Sequence, residues 1–220
     1  MIHTAVIVEP RNTILLIHVI QNILDKIPNI LIHLFNGINN ASNIHNYIKK
    51  NNLINKIKLT NLNKTNLTIA EYSDLLTSLS FWKQIKGENI LIFQIDSWVC
   101  HYNKDFIKEC SEYGFIGAPC RECDIPWQNG GLSLRKKSLM IKAIKDKKLN
   151  ESTWPEDRFF TVIKRKIVNP APFELAKKFS VEKYYYITPF GVHKPWNYLQ
   201  ENELEQIKKQ YPEMSLIWNK

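Results

Sequence analysis

The residues best suited to chemistry begin with Asp96, which follows an unbroken apolar run at residues 90–93. Such a run is typical of a central strand covered on both faces, and ligands of open α/β sheets bind beyond the carboxyl ends of the strands. A carboxylate there is a hard oxygen ligand for magnesium or manganese, and Gln94 offers a weaker second oxygen on the same side of an extended segment. The alternative is that Asp96 or Ser97 only caps the next turn.

A second candidate segment is residues 127–135, in which Asn129 precedes the pair Gly130 and Gly131. Paired glycines let the backbone approach a ligand closely, and an asparagine side chain offers both a donor and an acceptor. The segment is therefore a candidate for contact with a ligand. The alternative is a tight turn that leads into a strand, with Arg135 on the protein surface.

A third candidate is the acidic pair Glu156 and Asp157, which directly follows Pro155. Many helices begin with proline and then acids, because the acids complement the helix dipole, so a purely structural role is one interpretation. The functional interpretation is that Asp157 or Glu156 faces a ligand crevice and takes a proton from an attacking hydroxyl, as a general base does.

The fourth candidate is the pair His193 and Lys194, which lies between Gly191 and Pro195. The glycine and the proline favour a rigid loop, which could present the imidazole to a metal ion and the ammonium group to phosphate. The alternative is that the histidine is an ordinary packed or surface residue.

The elements that must position these segments alternate, in the first half of the chain, between short apolar runs and amphipathic stretches. This alternation indicates βαβ units around a mostly parallel sheet. Thr68 and Glu71 form a capping box, which predicts a helix that continues through Leu79. Strands are predicted at residues 4–8, 30–35, 57–60 and 89–94, and helices at residues 13–24 and 41–51.

The second half of the chain has the texture of an α+β region. Short strands are predicted at residues 115–117 and 131–134, and a lysine-rich helix at residues 137–148. A proline-punctuated stretch follows, and a last helix is predicted at residues 201–210.

The composition bounds the classes of function. A formal net charge of +9 raises the possibility of nucleic-acid binding, but the lysines are scattered and no aromatic-interleaved stripe forms a stacking platform. No apolar run approaches the ~20 residues of a membrane helix, and no leader sequence is recognisable. A cytoplasmic chain without a membrane span is therefore expected.

The cysteines do not indicate a disulfide framework, which is typical of small secreted domains. Cys120 and Cys123 could supply half of a zinc site, completed by Cys100, Cys110 or His101. The long gaps between these residues do not match a familiar zinc spacing, so zinc binding is the lesser alternative.

Taken together, these segments resemble a widespread family of GT-A-type glycosyltransferases that is classed as a domain of unknown function. The strings that carry the resemblance cover most of the chain in order. They are VEPR at 8–11, LLTSLSFW at 75–82, ILIFQIDS at 90–97, FIGAP at 115–119, NGGLSLR at 129–135, PEDRFF at 155–160 and PFGVHKPW at 189–196.

The resemblance implies a single α/β domain over residues 1–220, with a GT-A-like, Rossmann-related mixed sheet that is mostly parallel and flanked by helices. It implies a nucleotide-binding half at residues 1–97 and an acceptor-binding half at residues 98–220. The implied partners are a nucleotide-diphosphate sugar as donor and a glycan or another hydroxyl compound as acceptor.

The resemblance also assigns chemical roles. Asp96 matches the metal-binding aspartate of the family, and His193 matches a histidine that acts as a further ligand of Mn2+ or Mg2+. Gln94 stands where the wider GT-A group usually has a first acid, so His193 is expected to carry more of the coordination. Asp157 matches the catalytic base of inverting members. The family more often has tryptophan where this chain has Cys120, at the expected acceptor side.

Binding of the nucleotide sugar is expected from a larger set, in which Tyr72 or Trp82 is a candidate stacking partner although each could equally belong to the core. Asn129, Gly130 and Gly131 are expected to contact the sugar. The complete set is Arg11, Asn36, Tyr72, Trp82, Gln94, Asp96, Ser97, Asn129, Gly130, Gly131, Arg135 and Lys194.

The expected activity is the metal-dependent transfer of a sugar from a nucleotide-diphosphate sugar to an acceptor hydroxyl, with inversion. One alternative is a catalytically silent protein that binds nucleotide sugars, which the glutamine at position 94 favours. The other is a basic nucleic-acid-binding protein, which rests on the net charge alone.

Overall fold

The computed structural model describes residues 1–121, 126–148, 151 and 154–218. In these residues six strands form the main sheet, in the order β3-β2-β1-β4-β7-β6. The first four strands in that order are parallel, and β7 is antiparallel to both β4 and β6. The strands are β1 (Thr4–Glu9), β2 (Leu31–Asn36), β3 (Ile57–Asn61), β4 (Asn89–Phe93), β5 (Ser97–Val99), β6 (Phe115–Cys120), β7 (Trp127–Lys136), β8 (Ser180–Val181) and β9 (Gly191–His193). The mixed, mostly parallel sheet predicted from the sequence is confirmed.

Helices connect the strands and cover both faces of the sheet. A π-helix at Phe159–Ile163 and short 3₁₀ helices at Pro195–Asn197 and Pro212–Met214 complete the described helical structure. The α-helices are α1 (Leu15–Lys26), α2 (Ala41–Lys50), α3 (Ile69–Leu76), α4 (Leu79–Gln84), α5 (Lys104–Cys110), α6 (Lys137–Lys145), α7 (Glu156–Arg158), α8 (Arg165–Val168), α9 (Phe173–Phe179), α10 (Glu201–Gln210) and α11 (Ser215–Trp218).

A second, three-stranded sheet, in the order β5-β9-β8, was not predicted from the sequence. β5 runs antiparallel to β9, and this pairing places Ser97 opposite His193. β8 runs parallel to β9. The small sheet therefore brings a strand near the C-terminus beside the segment that follows β4.

Several predicted boundaries are corrected. The capping box of Thr68 and Glu71 is confirmed, but the helix that it opens ends at Leu76, and α4 begins separately at Leu79 with the Ser78 side chain as its N-cap. Serine and threonine side chains compete for backbone hydrogen bonds, which explains the break. The predicted short strand at residues 131–134 is the middle of the longer β7.

The hydrophobic core consists of two clusters on opposite faces of the main sheet. One is formed by α1 and α2 with side chains such as Ile7 and Leu34, and the other contains Phe81, Trp82 and Phe160. Alternate residues of β1 belong to different clusters, as expected for a strand covered on both sides. None of the described helices is both long and apolar enough to cross a membrane.

Candidate active site

A cleft of about 410 Å³ opens beyond the carboxyl ends of β1 and β4, which is where ligands of α/β sheets bind. Its size lies within the range of small-molecule sites. Residues from both halves of the chain form its walls. They are Val8, Glu9, Pro10, Arg11, Asn66, Leu67, Thr68, Ile69, Tyr72, Ser73, Gln94, Ile95, Asp96, Asn129, Gly130, Gly131, Pro155, Glu156, Asp157, His193 and Lys194.

One wall of the cleft carries the group that we call the Asp96 cluster, which consists of Gln94, Asp96, His193 and Lys194. Asp96 Oδ1 lies 3.5 Å from His193 Nε2, and Asp96 Oδ2 lies 3.3 Å from Lys194 Nζ. The same His193 Nε2 lies 3.3 Å from Gln94 Oε1. These contacts are long for hydrogen bonds, so the side chains are gathered without being tightly bound to one another.

Local backbone structure explains why the cluster forms. The Ser97 hydroxyl donates to the Gln94 carbonyl oxygen at 2.7 Å and accepts from the Gln94 N–H, which closes a turn with Asp96 near its tip. The Lys194 N–H donates to the Asp96 carbonyl oxygen at 3.1 Å. Lys194 has φ +45° and ψ +42°, a left-handed conformation that is costly for a lysine and is often found at functional sites.

His193 has a second carboxylate behind it. Its Nδ1 lies 3.3 Å from Glu182 Oε1, and both side chains are almost completely buried. The imidazole ring therefore lies between two acids, with Nε2 toward Asp96 and Nδ1 toward Glu182.

The charges of Asp96 and His193 stabilise each other. Burial alone would raise the pKa of Asp96, but the neighbouring His193 and Lys194 outweigh it and lower that pKa to about 2. Burial alone would lower the pKa of His193, but Asp96 and Glu182 outweigh it and raise that pKa. Asp96 is therefore an anion at neutral pH.

The donors of the Asp96 cluster are suited to a divalent cation. No group of three or more His, Cys, Asp or Glu side chains among the described residues could hold a metal ion. However, Asp96 Oδ1 is buried and has no hydrogen-bond partner among the described residues, and it lies 3.5 Å from His193 Nε2, which in turn lies 3.3 Å from Gln94 Oε1. One carboxylate with such weaker donors is enough for Mg2+ or Mn2+ when phosphate oxygens complete the coordination.

Asp157 lines the same cleft as the Asp96 cluster. Burial and the neighbouring carboxylate of Glu156 raise its pKa to about 7, although the Arg158 N–H donates to Asp157 Oδ1 at 2.7 Å. A carboxylate with this pKa exchanges a proton readily near neutral pH, as a general base must.

Glu156 and Arg135 form a buried ion pair beside Asp157. Arg135 Nη1 donates to Glu156 Oε2 at 2.5 Å and Arg135 Nη2 donates to Glu156 Oε1 at 3.0 Å. The Arg135 side chain has no exposed surface, its Nε donates to the Ser133 hydroxyl, and its guanidinium lies 4.6 Å from the centre of the Phe115 ring. Both oxygens of Glu156 are thus committed to Arg135.

The two glycines separate this ion pair from the Asp96 cluster. A Cβ atom on Gly130 would meet the Glu156 carboxylate and, at 2.6 Å, Arg135 Nη2. A Cβ atom on Gly131 would overlap the His193 ring. Side chains at these positions would displace one cluster or the other, which explains the glycine pair.

Glu9, Arg11 and Tyr72 also line the cleft. Arg11 Nε and Nη2 donate to the two oxygens of the buried Glu9 at 2.8 and 2.7 Å, while half of the Arg11 side chain stays exposed. Tyr72 and Gln94 both line the cleft. Arg11 is thereby held at the rim with one face available to an anionic ligand.

The structure corrects the expectation for four of the predicted binding residues and for one predicted base. Trp82 is fully buried and its Nε1 donates to the Leu76 carbonyl oxygen, so it belongs to the core and lies outside the cleft. Asn36 is buried and donates to the Gly37 carbonyl oxygen. Ser97 closes the turn described above. Arg135 is neither in the cleft nor on the surface, because it pairs with Glu156, and that pairing leaves Glu156 unsuited to act as a base.

The structure adds residues that the sequence interpretation missed. Glu9 anchors Arg11, and Glu182 lies against His193. The 66–69 segment forms a rim with the exposed Ile69. Glu9 stands in the VEPR string and could have been singled out. Glu182 gives no such signal, because its position depends on the pairing of β8 with β9.

The zinc alternative involves Cys123, which lies outside the described residues. Cys100, Cys110 and Cys120 are buried. Burial raises the pKa of the Cys100 and Cys110 thiols, so neither of these two is a ready thiolate ligand.

The chain matches, over residues 56–193, the protein family described as "Protein of unknown function (DUF5672)". This range is more than half of the chain, and it contains Asp96, Asp157, Glu182 and His193. No curated protein matches the sequence.

Solved structures show what fold the chain has. The apo form of the glycosyltransferase GlyE from Streptococcus pneumoniae TIGR4 superposes with a TM-score of 0.60 at 12% identity over 99% of this chain. Another GlyE crystal structure gives a TM-score of 0.55 at 13% identity over 99% of the chain. The chain spans 62% of the length of GlyE. This likeness confirms the predicted GT-A-like α/β fold, which the chain shares with GlyE.

A more distant likeness involves the mannosyltransferase PcManGT from Pyrobaculum calidifontis, crystallised with GDP-mannose and Mn2+. It has a TM-score of 0.45 at 13% identity, over 64% of this chain and 46% of that protein. At that score the superposition carries no conclusion about the cleft described above.

Proposed function

The chain belongs to the DUF5672 family, and we propose that it is a glycosyltransferase that moves a sugar from a nucleotide-diphosphate donor to an acceptor hydroxyl with the help of a divalent cation. The observation that carries the proposal is that one cleft holds two aspartates whose pKa values are shifted in opposite directions. Asp96 is anionic and lies beside an imidazole and an ammonium group, whereas Asp157 has a pKa near 7. Environments that separate the pKa values of two acids are typical of sites in which the acids have different tasks.

In this proposal the diphosphate of the donor binds at the wall formed by the Asp96 cluster. Asp96, His193 and Gln94 would hold Mn2+ or Mg2+, which would supply positive charge against the departing diphosphate. Lys194 and Arg11 add positive charge at the rim, and both are exposed enough to reach phosphate oxygens.

Asn129, Gly130 and Gly131 line the cleft, with Gly131 against the His193 ring and Gly130 against Glu156, the neighbour of Asp157. We place the transferred sugar there, because the glycines leave room for a ring close to the backbone. Tyr72 also lines the cleft and is the aromatic side chain that we propose as a contact of the donor.

Asp157 acts as the general base. It takes the proton of the acceptor hydroxyl while the acceptor oxygen forms a bond to the anomeric carbon of the donor sugar. The bond between that carbon and the diphosphate oxygen breaks, and the nucleoside diphosphate leaves with the electron pair. Attack from the side opposite the leaving group inverts the anomeric configuration.

The test is a panel of nucleotide sugars incubated with Mn2+ or Mg2+ and scored for release of nucleoside diphosphate. We expect one donor to be turned over by the wild type, and the rate to fall at least about 100-fold in Asp96→Ala, because the proposed site loses its carboxylate ligand. Asp74→Ala is the matched control, since Asp74 is an exposed aspartate outside the cleft. Its rate should equal that of the wild type.

Release that is absent for every donor, or that is the same in Asp96→Ala and Asp74→Ala, would contradict the proposal. Ligand-induced thermal stabilisation, measured in parallel, distinguishes an active transferase from a protein that binds nucleotide sugars without turning them over. A donor that stabilises the wild type without being turned over, with or without candidate sugar acceptors, would favour that alternative.

A further inference from the structure

Glu182 and His193 are neighbours because of the register of the small sheet. β8 and β9 run parallel, with Ser180 paired to Gly191 and Val181 paired to Val192. Continuing this register by one residue brings Glu182 beside His193. Residues at the same register position of parallel strands project to the same face, so the carboxylate and the imidazole must meet.

The contact is buried and directed at one ring nitrogen. Glu182 Oε1 lies 3.3 Å from His193 Nδ1, and the two side chains are 6% and 2% exposed. The approach is not aligned as a good hydrogen bond, and the contact is therefore an ion-pair-like one that constrains the ring. Among the described residues, His193 is the only side chain with which Glu182 forms an ion pair.

The other ring nitrogen faces the cleft. His193 Nε2 is the atom that lies near Asp96 Oδ1 and Gln94 Oε1. An imidazole can bind a cation only through a nitrogen that carries no proton, so the protonated nitrogen has to be the other one. A carboxylate behind a ligand histidine selects this tautomer, and it also holds the ring in place.

We propose that Glu182 is a positioning residue, which keeps the proton of His193 on Nδ1 and so leaves the Nε2 lone pair directed at a divalent cation beside Asp96. The inference rests on the proposed function, because the cation belongs to that function. The inference goes beyond the proposed function because it names a residue, Glu182, that does not line the cleft and that acts only through His193.

The first experiment reads the tautomer without any metal. Protein labelled with ¹⁵N-histidine is studied by NMR in alkaline buffer, and the His193 signals, one set among six histidines, are identified by their loss in His193→Gln. In the wild type we expect a proton-bearing Nδ1 and a lone-pair Nε2. In Glu182→Ala the signals should move toward the opposite tautomer. Glu182→Gln should keep the wild-type pattern in large part, because its amide oxygen can still accept from Nδ1–H.

The second experiment measures Mn2+ affinity by electron paramagnetic resonance, with UDP or GDP present as the probe. We expect the dissociation constant to rise ~10–100-fold in Glu182→Ala, and less in Glu182→Gln. Glu213→Ala is the control: Glu213 pairs with Lys26 at 3.1 Å, lies outside the cleft, and its removal should leave Mn2+ affinity unchanged.

The outcomes separate this proposal from the proposed function. A wild-type ring without a lone-pair Nε2, or the same tautomer in wild type and Glu182→Ala, overturns the positioning role whatever the activity. If Glu182→Ala does not fold, Glu182→Leu replaces it, because leucine has about the size of glutamate but accepts no hydrogen bond from Nδ1–H. A wild-type tautomer in Glu182→Leu contradicts the positioning role. If the wild type binds no Mn2+ but the tautomer depends on Glu182, the cation is wrong while the positioning of His193 stands.

Discussion

Two charged groups flank the same pair of glycines, and they differ in how completely their charges are paired. In the Arg135–Glu156 pair, two hydrogen bonds of 2.5 and 3.0 Å join the guanidinium to the carboxylate, and the Arg135 side chain is fully buried. In the Asp96 cluster the shortest distances between side chains are 3.3 Å, and Asp96 stays partly exposed. Similar residue types have thus been placed in two different physical situations.

This difference in pairing indicates which charged group stabilises the fold and which can bind a ligand. A buried bidentate pair leaves no hydrogen-bonding capacity for a ligand, so Arg135 and Glu156 are expected to serve stability and to hold the turn that carries Asp157. The loosely gathered side chains of the Asp96 cluster keep an unpartnered buried oxygen, which a cation or a donor can satisfy. Completeness of pairing is therefore a better guide to function than the presence of charge.

The largest effect that tests this comparison is on stability. Arg135→Ala should lower the free energy of unfolding by ~3–5 kcal/mol, because it leaves the carboxylate of Glu156 buried without a partner. Urea unfolding followed by circular dichroism measures this difference. The exposed pair of Lys64 and Glu71, 55% and 41% exposed, provides the control.

Lys64→Ala should cost less than ~1 kcal/mol, as exposed ion pairs usually do. The double variant Arg135→Met with Glu156→Leu should recover much of the loss, since it removes both charges from the interior. An Arg135→Ala protein that is as stable as Lys64→Ala would show that the pair is not the structural element described here.

The next effect concerns Asp157, whose pKa of about 7 lies above the usual 3.8. Between these two pH values the folded protein keeps a proton that the unfolded chain has lost, so stability falls as pH rises through this window. Asp157→Asn should therefore raise the free energy of unfolding at pH 8, by ~1–4 kcal/mol, and leave it unchanged near pH 3. Urea unfolding at both pH values measures the difference.

The activity of the wild type should show the opposite trend, because a base works only when it is unprotonated. The rate should rise about tenfold per pH unit below pH 7 and level off above it. Asp74→Asn, at an exposed aspartate, should change neither stability nor the pH profile. A rate that does not depend on pH between 5 and 8, or an Asp157→Asn protein that is no more stable at pH 8, would remove the basis for Asp157 as the base.

The sequence predicts the Asp96 cluster better than it predicts the Arg135–Glu156 pair. Asp96 could be found because an apolar strand ends just before it, and both the parallel sheet and the capping box at Thr68 follow from local patterns. The burial of Arg135 could not be found, since an arginine in a strand gives no indication of its partner 21 residues later. The same holds for Glu182, whose contact with His193 depends on the pairing of a two-residue strand. For Trp82 the core and the stacking interpretations both stayed open, because an amphipathic helix does not reveal which face meets the core.

Alanine substitutions at Gly130 and Gly131 should have smaller effects, and these effects can be compared with each other directly. Neither Gly130 nor Gly131 has a positive φ, so alanine adds a methyl group without backbone strain. Gly130→Ala should lower the free energy of unfolding by ~1–3 kcal/mol, because the methyl group would displace the Arg135–Glu156 pair. Gly131→Ala should act mainly on His193 and raise the Mn2+ dissociation constant about tenfold or more.

Thermal unfolding and Mn2+ titration of both variants measure these effects. We expect the two variants to show different losses. Gly130→Ala should lose more stability, and Gly131→Ala should lose more Mn2+ affinity. Equal losses in both assays would mean that the glycines serve one continuous packed region, and the distinction between the two charged groups would be lost.

The smallest effect concerns Lys194, which holds its ammonium group 3.3 Å from Asp96 in a left-handed backbone conformation. Lys194→Gly should weaken binding of a nucleoside diphosphate about tenfold, or ~1.4 kcal/mol, because one cation that faces the phosphates is lost. Isothermal titration at low and high salt measures this, and the salt dependence should be smaller in the variant.

Lys194→Ala separates the charge from the backbone. Both variants lose the ammonium group and should lose the same affinity, but alanine keeps the cost of the left-handed conformation, whereas glycine relieves it. Lys194→Gly should therefore be ~1 kcal/mol more stable to urea than Lys194→Ala. If affinity falls in Lys194→Ala but not in Lys194→Gly, the backbone and not the charge controls the site. If both variants lose the same affinity but differ in stability, the ammonium group of Lys194 binds the ligand, and the chain tolerates backbone strain in order to present it. Such strain is expected in a ligand-binding cluster and not in a structural ion pair.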